Sequence, residues 1–160
     1  WLPITAYEAA RAHAETFPSR ADEYGSYLRG VLELGVAMND ADYSEALRRK
    51  RDYVVKFEVE LKKVDAIICP AGGLVFEVDK QAQYGDKESM KSVIKNFQGQ
   101  FTIPADLLGA PALVVPCGFS DEKRPYAFQL VGSRLSDAKL CALGHKYECQ
   151  FDWRSIHPSF

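Results

Sequence analysis

FTIPADLLGAPALVVPCGF, residues Phe101 to Phe119, decides how this chain is read. Its second half holds Leu113-Val114-Val115, an apolar run rich in β-branched residues that leads into Pro116-Cys117-Gly118. A strand is therefore expected over Ala112 to Pro116. A polar turn through Asp121, Glu122, Lys123, Arg124 and Pro125 separates it from a second strand, Tyr126 to Val131. A third apolar run, Asp65 to Cys69, is closed by Pro70, Gly72 and Gly73 and reads as a buried strand meeting a loop.

Helical patterns flank these runs. Ala6 to Phe17 reads as a helix ended by Pro18, with Trp1 to Thr5 extended before it. A second helix is expected over Tyr24 to Ala37, weakened by Gly30 and Gly35. Asn39 can cap a third, with Asp42 in its first turn, running to about Lys63. Tyr43, Ala46, Leu47, Val54, Phe57, Leu61 and Val64 recur at the spacing of one apolar stripe. Arg48, Arg49, Arg51 and Asp52 fall elsewhere on that cylinder and read as a solvated charged face. The segment from Pro70 to Lys87 reads as a long loop, Lys87 to Phe97 as a weak helix, and Ser136 to Gln150 as a final helix capped by Ser136. Helices interleaved with short strands give an α/β class with one sheet.

The 160 residues suffice for one domain with a core, and 47% apolar and 26% charged residues match a globular composition. A net charge of -2 implies no strong attraction to nucleic acid or to an anionic membrane surface. No apolar run approaches the roughly 20 residues of a membrane span. Trp1 to Thr5 lack the basic and apolar regions of a secretory signal. They also lack an initiator methionine, and an opening that reads as mid-strand predicts a piece of a longer protein. The four cysteines, at 69, 117, 141 and 149, form no C-x-x-C pair, and no histidine sits at zinc-finger spacing from them, so no metal site is expected. No cofactor is expected either. A reducing, cytoplasmic setting follows, with a Cys141–Cys149 bridge left open.

Several residues could carry chemistry. Cys117 stands just past a strand end, where it could be a nucleophile or a small apolar filler. A nucleophilic thiol needs an imidazole in reach; the histidines are His13, His145 and His157, and His145, on the last helix, has no evident orienting partner. Ser-x-x-Lys occurs at Ser92–Lys95 and Ser136–Lys139, without companion motifs. Asp106, in an otherwise apolar stretch, reads as a carboxylate held by hydrogen bonds, a structural clamp rather than a base. Gly72-Gly73 lacks the Lys and Ser/Thr of a phosphate loop. The pattern thus describes an α/β unit without a self-contained active site.

The spaced blocks Phe101-Thr102, Pro104, Leu107-x-Gly109-x-Pro111, Pro116-Cys117-Gly118-Phe119, Pro125, Gln129, Gly132, Asp137, Leu140 and Tyr147-Glu148 resemble the C-terminal third of the amidase-signature enzymes. Gly35, Asp42-Tyr43, Ala46, Arg51 and Asp65-Ala66-Ile67-Ile68-Cys69-Pro70 extend the resemblance over essentially the whole chain. It implies a partial mixed sheet covered by helices, residues 1–160 being the C-terminal portion of one incomplete domain. The family cleaves carboxamides with a serine nucleophile, a bridging serine and a lysine base, all in an N-terminal part with a Gly/Ser-rich segment that has no counterpart here. This chain alone should then be inactive. The resemblance makes Phe101, Thr102 and Ala105 the pocket-lining positions, and gives Asp106, Cys117 and Gln129 structural parts, Cys117 as core filling. Three positions depart from the family: Asp106 stands for the usual Asn, Ala127 for a glycine, and Gly99 falls where amidotransferase members carry an acidic residue. The implied partners are the N-terminal catalytic part, as a separate chain or cleaved segment, and a small-molecule amide, with a homo-oligomer left open. The alternative is a non-catalytic module that folds alone and binds a partner.

Overall fold

In the computed structural model, which describes residues 1–72 and 99–156 apart from the Arg154 side chain, the chain begins with a helix instead of an extended segment. Helix α1 spans Leu2–Ala12. Pro3 lies in its first turn, where a missing N–H breaks no intrahelical bond, and the Trp1 carbonyl already accepts from Thr5 N at 3.0 Å. Ile4, Ala6, Tyr7 and Ala10 are its buried side. A short 3-10 turn at Ala21–Glu23 leads to α2, Ser26–Ala37.

Gly35 lets α2 approach α1. A Cβ added there would stand 1.9 Å from the Ala6 carbonyl oxygen and 2.8 Å from the Ala10 methyl. The glycine that costs helix propensity is thus the residue that permits the packing. Leu32 and Val31 are buried nearby on the same helix. Tyr7 donates to Asp40, Arg11 lies 3.1 Å over the Tyr7 ring and pairs with Asp40, and Tyr43 stacks on Tyr7 at 4.0 Å.

Helix α3 runs Asp40–Leu61. Asn39 Oδ1 accepts from Asp42 N at 2.9 Å, the capping bond the sequence predicts. Its stripe is half-buried, with Leu61 buried and Val64, beyond its end, exposed. The charged face is laced by ion pairs of Glu45 with Arg48 and Arg49, and of Arg48 with Asp52. The structure divides into two compact units, residues 1–53 in one and 54–72 with 99–156 in the other, so the boundary falls within α3.

The second unit carries the sheet. Strands β1 (Ile67–Pro70), β2 (Ala112–Phe119) and β3 (Pro125–Val131) pair in the order β1-β3-β2, and these described strands are antiparallel throughout. The α/β class stands. The reading of β1 as a buried strand does not: among the described residues it is an edge strand, and Ile68 is 68% exposed. Between β1 and β2 in sequence lies a helix the sequence pattern did not announce, α4 at Ile103–Leu108. Helix α5, Asp137–Glu148, packs on β2 and β3, where Gly144 meets Leu113 and Tyr147 sets its ring edge-on to Phe128 at 5.0 Å. A 3-10 turn, Trp153–Ser155, follows. The expected helix over Lys87 to Phe97 and most of the expected loop before it lie outside the described residues.

Candidate functional site

Gln129, on the central strand β3, is 2% exposed. The register sets it opposite Cys69 of β1 and Val114 of β2. Its Nε2 donates to the main-chain carbonyl of Phe101, with the Pro70 carbonyl at 3.3 Å and Cys69 Sγ at 3.3 Å. A side-chain amide carries only two N–H groups, so three acceptors share them. One buried side chain thereby ties the end of β1 and the segment entering α4 to the middle of the sheet.

That segment is built locally. The Gly99 carbonyl accepts from Thr102 N at 3.2 Å and Ile103 N at 2.9 Å, with Thr102 Oγ1 at 3.5 Å. Thr102 is the residue before α4, and Pro104 lies in its first turn, where proline is tolerated. Gly109, at φ +60, ends the helix in the left-handed region that a side chain disfavours. Phe101 and Thr102 are half-buried and keep accessible surface, whereas Ala105 is buried. Of the three expected wall positions, Phe101 and Thr102 thus offer surface and Ala105 packs inside.

Two structural expectations need correction. Asp106 is exposed, not buried, in the first turn of α4, where the positive end of the helix dipole favours a carboxylate. It needs no compensating cage, and its carbonyl, not its side chain, bonds Gly109 N. Cys117 is exposed as well. Pro116 pairs with Ala127 and Gly118 with Tyr126, which leaves Cys117 as the extra residue of a β-bulge. The bulge turns the thiol out of the alternation that would have buried it.

The other candidates resolve differently. All four cysteines are free, so no Cys141–Cys149 bridge forms. Lys139 is engaged with Asp65 at 2.9 Å, and its hydrogen bond and charge hold that carboxyl below the usual range. Ser136 precedes α5 but its hydroxyl makes no capping bond and has no partner among the described residues. Paired with a carboxylate, Lys139 is a structural cation, not the base of a Ser–Lys dyad. Ser92–Lys95 and His157 lie outside the described residues.

Among the described residues of the second unit, two clefts stand out. One, of about 490 Å³, is lined by His145, Glu148, Cys149, Gln150, Phe151, Asp152 and Trp153. The other, of about 250 Å³, has Leu61 and Leu108 beside Glu58, Lys62, Ser133 and Arg134. Neither is lined by Phe101 or Thr102. No helix among the described residues is long and apolar enough to cross a membrane. The sequence reading passed over the His145–Cys149 pair, whose Nε2 and Sγ stand 3.7 Å apart. Their spacing of four on a helix was the signal that could have found it.

Comparison with known proteins agrees with the resemblance. The family model described as Amidase matches residues 5–141. The chain is 34% identical over 146 residues to a glutamyl-tRNA(Gln) amidotransferase subunit from Hahella chejuensis, a match taking in 88% of this chain and 29% of that protein. A crystal structure of an amidase superposes with a TM-score of 0.74 at 24% identity, over 94% of this chain and 34% of the other. 6-Aminohexanoate cyclic dimer hydrolase gives 0.77 at 19% identity, over 96% and 34%. The chain spans between 29% and 31% of the length of the curated relatives it matches. With its sheet, its Gln129 tie and its spaced motifs accounted for, this chain belongs to the amidase family.

Proposed function

We propose that this chain is the C-terminal portion of an amidase that hydrolyses a small carboxamide, and that the serine nucleophile, bridging serine and lysine base belong to an N-terminal part outside these 160 residues. The observation that carries this reading is the family match along most of the chain against relatives more than three times its length. In the assembled enzyme the amide carbon is attacked by serine, amine or ammonia leaves, and water releases the acid from the acyl-serine. This chain supplies no group to those bond changes. It completes the sheet and presents Phe101 and Thr102 as one wall of the acyl pocket, held in place by the Gln129 tie.

Hydrolysis is favoured over transfer of ammonia to a second substrate. Gly99, buried at the turn before α4, offers no carboxylate to a substrate ammonium where amidotransferase members carry one. The test joins this chain to the N-terminal remainder of an amidase relative and measures amide turnover. Phe101→Ala should raise KM about tenfold, the scale of one partly buried aromatic side chain, with kcat changed much less. An unchanged KM for both Phe101→Ala and Thr102→Ala would remove this segment from the pocket. The non-catalytic alternative predicts that no such joined enzyme turns over at all.

A further inference from the structure

We propose that His145 and Cys149 form a two-point chelate for a thiophilic divalent cation of the zinc class, at the C-terminal end of α5. The two residues are one helical turn apart, and Cys149 N bonds the His145 carbonyl at 3.0 Å, which fixes their register. Nε2 and Sγ stand 3.7 Å apart. A tetrahedral ion with a metal–nitrogen distance of about 2.0 Å and a metal–sulfur distance of about 2.3 Å separates its two ligand atoms by about 3.5 Å. The pair is therefore set at chelating separation with little rearrangement. Both side chains are exposed and line the cleft of about 490 Å³.

Lys146 shares the last turn of α5, but the carboxylates and the helix end around the pair favour a cation. The last turn of α5 presents the negative end of its dipole, and Glu148 and Asp152 line the same cleft. Those groups attract a dication. On binding, the Cys149 thiol gives its proton to solvent as the sulfur–metal bond forms, and neutral His145 donates the Nε2 lone pair. Among the described residues no set of three His, Cys, Asp or Glu side chains converges on one point, so water completes the coordination and the ion exchanges readily.

The test is a cadmium titration of the reduced 160-residue chain, read by the ultraviolet thiolate-to-cadmium charge-transfer band, with far-UV circular dichroism checking that each variant folds. The expected band saturates and disappears in Cys149→Ser. His145→Ala and His145→Gln should raise the midpoint at least about tenfold. Cys117→Ser and Cys141→Ser, which remove the other exposed thiols, should leave it in place. A band that survives Cys149→Ser, or that titrates alike in wild type and both His145 variants, overturns the proposal. None of these readouts depends on amidase activity.

Discussion

The side-chain amide of Gln129 donates to the main-chain carbonyl of Phe101, twenty-eight positions earlier in the chain. This bond joins the central strand to the segment that precedes α4, and the Pro70 carbonyl shares the same donor. Replacing Gln129 by Leu leaves the Phe101 and Pro70 carbonyls without that donor. The expected loss is about 1–3 kcal/mol of stability, measured by urea unfolding. Gln129→Glu should cost more near neutral pH, because a carboxylate would then face carbonyl oxygens. A Leu variant as stable as the wild type would show that the tie is dispensable.

Gly35 should not tolerate a methyl. Its Cβ would collide with the Ala6 backbone, which cannot swing aside like a side-chain tip. Gly35→Ala is expected to destabilise by about 1–3 kcal/mol despite its gain in helix propensity. Gly25→Ala, where nothing lies within 4 Å, is the matched control, and thermal unfolding of the two separates packing from propensity.

Leu135 offers the opposite case. It is 96% exposed and sits at φ +63, so its side chain packs nothing while its backbone occupies the left-handed region. Leu135→Gly should stabilise the chain, by up to about 1 kcal/mol, since left-handed geometry costs a non-glycine residue roughly that much or more. A lowered unfolding midpoint would contradict this.

Glu45 is held at about 2, from an ordinary 4.5, by hydrogen bonds from Arg48 first and Arg49 second. A depressed carboxyl stabilises the fold above its unfolded value and loses that contribution as pH falls from about 4.5 through about 2. Carboxyl NMR titration should therefore show Arg48→Ala moving the Glu45 midpoint upward. The pair is solvent-exposed, so high salt should move it the same way. A midpoint indifferent to Arg48 would show that the pairs on α3 are not formed in solution.

Much of this fold is legible in local chemistry. Asn39 announces α3, and the turn residues 121–125 separate β2 from β3. Ala6 to Ala12 read as helix, but the first turn, Leu2 to Thr5, was not legible, because Pro3 reads as a breaker until it is placed in a first turn. Pro104 hid α4 in the same way. Apolar runs also report hydrophobicity, not coverage. Ile68 and Val114 stand exposed in runs that read as core. Cys117 shows the same limit, since a one-residue bulge reverses the side on which a thiol emerges and leaves no mark in composition. The site was legible only through spaced motifs. Phe101 bears no reactive group and Thr102 only an ordinary hydroxyl, and Gln129 reaches Phe101 through a bond between distant positions.

Amide hydrolysis by the purified 160-residue chain is the deciding measurement. Ammonia or amine release from small carboxamides should be undetectable, and a fluorophosphonate probe should label none of its serines. Turnover by this chain alone, or covalent labelling of one of its serines, would place the nucleophile here and contradict a catalytic centre that lies wholly in the N-terminal part.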